Sequence, residues 1–138
     1  MSDSHHAPLP AVVELGYGAW LWLDERCAAF PAAARRQLGH RILDAALDAL
    51  ADTTEAAVLP RGQAREARLC AANRALTLLR ILLRGARDRR YLSVGQHEHA
   101  MRLVDDWGRQ VGGWLRAERR GRAAAQQRQG APPREPGP

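Results

Sequence analysis

Residues 93–115 read Ser-Val-Gly-Gln-His-Glu-His-Ala-Met-Arg-Leu-Val-Asp-Asp-Trp-Gly-Arg-Gln-Val-Gly-Gly-Trp-Leu, and this stretch decides the fold. Ser93 followed three residues later by Gln96 is a capping box, the side-chain arrangement that opens a helix. Met101, Val104, Gly108, Val111 and Leu115 then alternate steps of three and four, a seam suited to packing against other helices. A helix is predicted from Ser93 to about Arg120 or Gly121. Glycine inside a helix costs about 1 kcal/mol against alanine, so Gly108, Gly112 and Gly113 imply close approach by something else. Trp107 and Trp114, one heptad apart, add large contact area. Trp107, Gly108, Gly112 and Trp114 are therefore expected at a packing seam, either within the protomer or between subunits.

Working outward, prolines lie only in the first ten residues, at 31 and 60, and from 132 onward. They leave long proline-free stretches with room for helices. The chain has 26 alanines and 18 leucines against 11 β-branched residues, a balance that favours helix over strand. A first helix is predicted from Ala11 to Phe30, with Val12, Leu15, Ala19 and Trp22 on one face; Gly16 and Gly18 weaken it but permit close approach of a neighbouring backbone. Pro31, at a first helical position, opens a second helix to about Val58, whose apolar face holds Leu38, Ile42, Ala46, Ala49 and Leu50. Pro60, Arg61 and Gly62 break the chain, and a third helix follows to about Arg90. Four amphipathic helices joined by short breaks specify an all-α, antiparallel up-and-down four-helix bundle. Residues 11–120 form that domain, with a disordered leader over 1–10 and a disordered Arg-, Pro- and Gly-rich tail over 121–138.

The chain's 138 residues suffice for one domain with an ordinary core. No apolar run approaches the roughly 20 residues that span a bilayer, and the first ten residues lack the basic and then apolar pattern of a signal peptide. A cytoplasmic protein without membrane contact is expected. Cys27 and Cys70 offer neither a disulfide framework nor a close thiol pair for zinc, and both read as small buried hydrophobes.

All 21 basic residues are arginine, against 15 acids, for a net charge of +6. Codon drift in a G- and C-rich genome explains the missing lysines, so the position of the arginines carries the information. Residues 1–60 hold four arginines and eight acids, a net of −4, whereas residues 61–138 hold 17 arginines and seven acids, a net of +10. Such polarity suggests a polyanionic or acidic partner for the second half. On the third helix, Arg61, Arg65 and Arg68, and again Arg80, Arg84 and Arg87, recur at i, i+4 and i+7, with Arg89 and Arg90 beyond them. Guanidinium forks match phosphate oxygens and give salt-sensitive, nearly sequence-blind affinity. The competing reading is a solvated or ion-paired face. On the second helix Asp44, Asp48, Asp52 and Glu55 form an acidic stripe, either solvated or set to pair with arginines of another helix or subunit.

No residues support an enzyme or a metal centre. Paired Glu-x-x-His spacings of di-metal bundles are missing, as are phosphate-binding loops and nucleophile elbows. His97 and His99 point in nearly opposite directions on one helix and cannot share an ion from one face; they and Glu98 read as solvated surface. No cofactor is expected.

The segment Leu79-Arg80-Ile81-Leu82-Leu83-Arg84, then Leu92-Ser93 with Gln96 and Ala100, then Gly108-Arg109, Gly112 and Trp114-Leu115 resembles the second half of the accessory variability determinant (Avd) proteins of diversity-generating retroelements. These belong to the wider four-helix-bundle family that includes the 23S rRNA intervening-sequence proteins, whose pattern Phe30-Pro31 and Leu38-Gly39 resemble more loosely. The resemblance implies a ring-shaped homopentamer that binds template RNA and DNA without sequence preference and associates with the retroelement's reverse transcriptase. It implies support of mutagenic cDNA synthesis and retrohoming, without catalysis by the chain itself. Arg80, Arg84 and Arg109 stand at the matching basic positions; with Arg65, Arg68 and Arg87 they are the expected contacts to nucleic acid or polymerase. The alternative is a bundle of the intervening-sequence type, acting as a structural or protein-interaction module.

Overall fold

A computed structural model describes residues 9–130. Among them the chain is all-helical, in four long helices. Helix α1 spans Ala11–Ala28. Helix α2 is composite: Ala32–Ala34, a wider π turn at Arg35–Gly39, then His40–Val58. Helix α3 spans Gln63–Asp88 and α4 spans Val94–Gly130.

Local chemistry sets each boundary. Pro10 lacks an N–H and precedes α1, where its carbonyl accepts from Val13 and Glu14. Phe30, whose geometry is restricted by Pro31, closes α1 through its N–H to the Cys27 carbonyl. Gly62 has φ +148 and ψ −170, a backbone region essentially closed to residues with a Cβ. At the end of α3, Arg90 takes a left-handed φ of 65 while the Tyr91 and Leu92 N–H groups both donate to the Ala86 carbonyl, a helix stop usually given to glycine. The capping box is present at α4: Ser93 N–H donates to Gln96 Oε1 at 3.0 Å, and Gln96 N–H donates to Ser93 Oγ at 3.1 Å.

Cross-contacts give the topology. Gly16 lies level with Leu50, and Cys27 with Gly39; Asp52 meets Arg68; Arg80 meets Asp105, and Glu66 meets Arg119. Each successive pair of helices is therefore antiparallel, and α4 returns beside α1, where Gly16 meets Trp107 and Trp22 meets His99. This is the up-and-down four-helix bundle.

The core is built from the expected faces. Val12, Ala19, Ile42, Ala46, Ala49, Val104, Val111 and Leu115 are buried, joined by Leu23, Leu69, Leu76, Leu79 and Leu83. Trp107 sits at the centre, fully buried. Its Nε1–H donates to Thr53 Oγ1 at 3.2 Å, and the Thr53 hydroxyl donates to the Ala49 carbonyl at 2.7 Å. Its indole fills the notch at Gly16, where a Cβ would lie 2.8 Å from the ring.

The tail expectation needs correction. Helix α4 does not stop at Arg120 or Gly121 but continues to Gly130, because residues 122–129 are alanine, glutamine and arginine, all good helix formers, and the prolines begin only at 132. Arg122 Nη1 also anchors the extension to Glu66 Oε2 at 3.0 Å. The leader over 1–8 and the tail over 131–138 lie outside the described residues.

Candidate nucleic-acid interface

The six arginines singled out in the sequence do not form bare stripes. Each has a carboxylate within 4.0 Å: Arg65 has Glu118, Arg68 has Asp52 and Glu55, Arg80 has Asp105, Arg84 and Arg87 share Asp88, and Arg109 has Asp106. The neutralising acids come from neighbouring helices for Arg65, Arg68 and Arg80, and from the same helix for Arg84, Arg87 and Arg109. The acidic stripe of α2 thus serves in part as a partner for α3, through Asp52 and Glu55.

Burial then separates the six. Arg65 is almost enclosed: its Nε donates to the Ala56 carbonyl, Nη2 to the Leu59 carbonyl and Nη1 to Glu118, while its guanidinium lies 5.2 Å from the Trp114 ring centroid. It ties α2, α3 and α4 together. Arg80 lies across Gly108, with its Nη2 inside contact distance of where a Cβ would stand, and its Nε donates to Asp105 at 2.9 Å. Arg84 and Arg109 are different, with side chains 74% exposed and pairs of the solvated kind that contribute little. Their charge remains available to a partner.

The arrangement that the sequence reading missed lies on α4. Arg102, Arg109, Arg116 and Arg120 are all exposed and recur at i, i+7, i+14 and i+18, which places them on one outward face over about 27 Å of helix. Arg102, Arg116 and Arg120 have no carboxylate within 4.0 Å among the described residues. The same holds for Arg89 and Arg90 at the loop and Arg74 on α3. The signal was legible as a heptad repeat of arginine opposite the apolar seam. Arg90 holds its charge in a left-handed conformation that costs a residue with a Cβ about 1–2 kcal/mol.

The expected packing residues also divide. Trp107 is the core residue described above, and Trp114 is half-buried beside Arg65. A Cβ on Gly108 would meet only Arg80, and one on Gly112 only Arg116, at 3.4 Å. Gly16 is met by side chains of two other helices, Trp107 and Leu50, rather than by a neighbouring backbone, and no atom lies within 4 Å of where a Cβ on Gly18 would stand.

Titratable groups behave as their surroundings dictate. Burial, with Asp24 nearby, pushes the Cys27 thiol up to about 12; it is a buried hydrophobe as expected. Cys70 is only half-buried, with Arg119 Nη2 3.3 Å from its sulfur, so the expectation for it is corrected. The Asp52 carboxyl is raised, first by burial and further by Asp48 and Glu55, against the pull of Arg68. His97 and His99 are half-buried rather than solvated: His99 packs against Trp22 at a centroid distance of 4.9 Å. His97 Nε2 is buried without a hydrogen-bond partner among the described residues. Its pKa is lowered, chiefly by burial and then by Arg87.

A family model described as bAvd-like matches residues 24–118, more than half of the chain, from the last turns of α1 through α2 and α3 and into α4. The chain belongs to the bAvd-like family. No curated protein matches it in a sequence comparison. The matched span of this bAvd-like chain includes Arg102, Arg109 and Arg116 and ends before Arg120 and the last turns of α4. No helix among the described residues is long and apolar enough to cross a membrane.

Proposed function

We propose that this bAvd-like chain is a non-catalytic, nucleic-acid-binding accessory protein of a diversity-generating retroelement. It holds template RNA, and DNA, near the cognate reverse transcriptase in the cytoplasm and supports mutagenic cDNA synthesis and retrohoming. The observation that carries this reading is the outward row Arg102, Arg109, Arg116 and Arg120 on α4, in a chain of this family. Outward guanidiniums along one helix face, three of the four without a carboxylate within 4.0 Å among the described residues, suit phosphates without reading bases.

The same reading takes the working form to be a ring-shaped homopentamer. Exposed apolar side chains at Tyr17, Leu21 and Leu47, and at Leu78 and Ile81 on α3, the last 62% exposed, supply surface for contacts between copies. The open positions at Gly112 and Gly113 allow a neighbouring copy to come close. Several copies would multiply a weak contact by avidity.

The test is a salt titration of binding to unrelated single-stranded RNAs. The wild type should bind them all with similar affinity that falls with salt. Changing Arg102, Arg116 and Arg120 together to Glu should weaken all of them alike and reduce the salt slope by about 2. Affinity independent of salt, or a triple variant that binds like the wild type, would sink the reading. Light scattering showing a monomer would remove the ring, and failure to co-purify with the reverse transcriptase would remove that partner.

A further inference from the structure

Where α4 overruns the start of α3, a cleft of about 460 Å³ opens between the two helices, a volume in the range of small-molecule sites. Its floor is an ion-paired lattice. Arg65 pairs with Glu118, whose side chain is 8% exposed, and Arg119 and Arg122 both pair with Glu66, 11% exposed. These carboxylates are satisfied and leave little free negative charge to repel an anion. Trp114, Ala117, Gly121 and Ala125 line the α4 wall at steps of three, four and four, so one flat face of the helix is an aromatic ring followed by small residues. The Arg65 guanidinium lies over the Trp114 ring, 5.2 Å from its centroid, a cation–π contact that favours this placement of the ring. At the mouth stand Arg61 and Arg128, neither of which has a carboxylate within 4.0 Å among the described residues.

A bare phosphate has no use for the apolar wall, and a hydrocarbon has no use for two unpaired guanidiniums. A nucleotide uses both. We propose that this cleft receives one unstacked nucleotide of single-stranded RNA, with its base against Trp114 and the small residues of α4 and its phosphate at Arg61 and Arg128. The proposal rests on the RNA-binding reading above and deepens it: the outward row on α4 tracks the backbone, and the cleft adds a stacking position of the kind found in sequence-tolerant single-strand binders. The glycine and alanines of the wall are what keep the site open, since larger side chains at 117 or 125 would fill it.

The experiment is a tryptophan-fluorescence titration of the full chain with adenosine 5′-monophosphate, an octamer of adenylate and inorganic phosphate. Saturable quenching by the mononucleotide and, more tightly, by the octamer is expected, with none from phosphate. Ala117→Leu, a change on an exposed helix position, should weaken both nucleotide signals about tenfold while long RNA keeps its salt slope. Arg61→Glu, in the loop and outside the core, should weaken them similarly. Equal quenching by inorganic phosphate would overturn the assignment of the base to the cleft. Unchanged nucleotide affinity in both variants, with long RNA still bound, would overturn the cleft and leave the RNA-binding reading standing; no binding of any RNA by the wild type would overturn both.

Discussion

Arg80 of α3 points the tip of its guanidinium at Gly108 of α4, held by Asp105, so the bare backbone of the glycine is covered by a side chain rather than by a helix. Gly16 has the opposite neighbour, the immovable indole of Trp107 at the centre of the core. The two glycines should therefore respond differently to a methyl group. Gly108→Ala gains about 1 kcal/mol of helix propensity and displaces only the end of a flexible arginine, whose partly exposed pair is worth about 0–1 kcal/mol; thermal melting should show a stability equal to or above the wild type. Gly16→Ala meets a ring that cannot yield and should lose about 1–3 kcal/mol from overpacking. Equal effects at the two sites in paired melts would refute this account.

Thr53→Val keeps the shape of the side chain but removes the acceptor of the Trp107 Nε1–H. Because both residues are fully buried, no water replaces the lost partner, and the orphaned donor should cost about 1–3 kcal/mol in chemical denaturation. Thr54→Val, whose hydroxyl also bonds back along the helix but at an exposed position, is the control and should change little.

Acid should weaken the fold through His97. Its native pKa lies below the ordinary value of 6.5 because its ring is partly buried, with Arg87 nearby, against weaker opposing influence from Asp88 and Glu98. A group with a depressed native pKa contributes stability above its unfolded pKa and loses it as pH falls through the native one. The melting temperature should thus decline as pH drops below about 6.5, and His97→Gln should flatten that decline. Asp52, with its raised native pKa, acts in the other sense and at lower pH: its contribution is present below the ordinary carboxylate value and is lost as pH rises through the raised one. A pH–melting curve for His97→Gln that overlays the wild type would exclude the histidine as the cause.

Replacing Arg90 with glycine should raise stability by about 1 kcal/mol, because its left-handed φ then carries no steric cost. The same change removes an exposed charge near the α3–α4 loop, so RNA affinity should fall as stability rises. Melting and binding measured on one preparation would show the two moving apart.

Ending the chain after Arg120 should lower the melting temperature by the equivalent of about 1 kcal/mol, since Glu66, a buried carboxylate, loses Arg122 and keeps only Arg119. An unchanged melt would show that the last turns of α4 contribute nothing to the bundle.

Most of the fold was legible from local signals. Pro31, Pro60 and the Ser93–Gln96 box act within a few residues of themselves, so their reading needs no tertiary knowledge, and helical periodicity marked Ile42, Val104 and Val111 as core. The partners of the arginines were not legible in the same way. Arg65 and Glu118 are 53 positions apart, and the rotation of α3 that turns Arg80 toward Asp105 but leaves Arg84 in solvent is set by packing rather than spacing. The end of α4 was misread because the prolines after 131 coloured the whole segment, whereas a helix is stopped by a proline's position. The row from Arg102 to Arg120 was present in the spacing but was overshadowed by the denser arginines of α3.

The antiparallel order also bears on how the chain reaches its native state. Each helix packs on the one made just before it, so most contacts are short in sequence, a topology that favours folding in microseconds to milliseconds. The exception is the closure of α4 onto α1, which brings Trp107 to the notch at Gly16 and to the hydroxyl of Thr53. During synthesis the first three helices can assemble while this slot stands open, and the bundle becomes complete only when its last helix leaves the ribosome. The residue that locks the core and the helix that displays the outward arginines therefore arrive together, so the cationic row is presented on a finished scaffold.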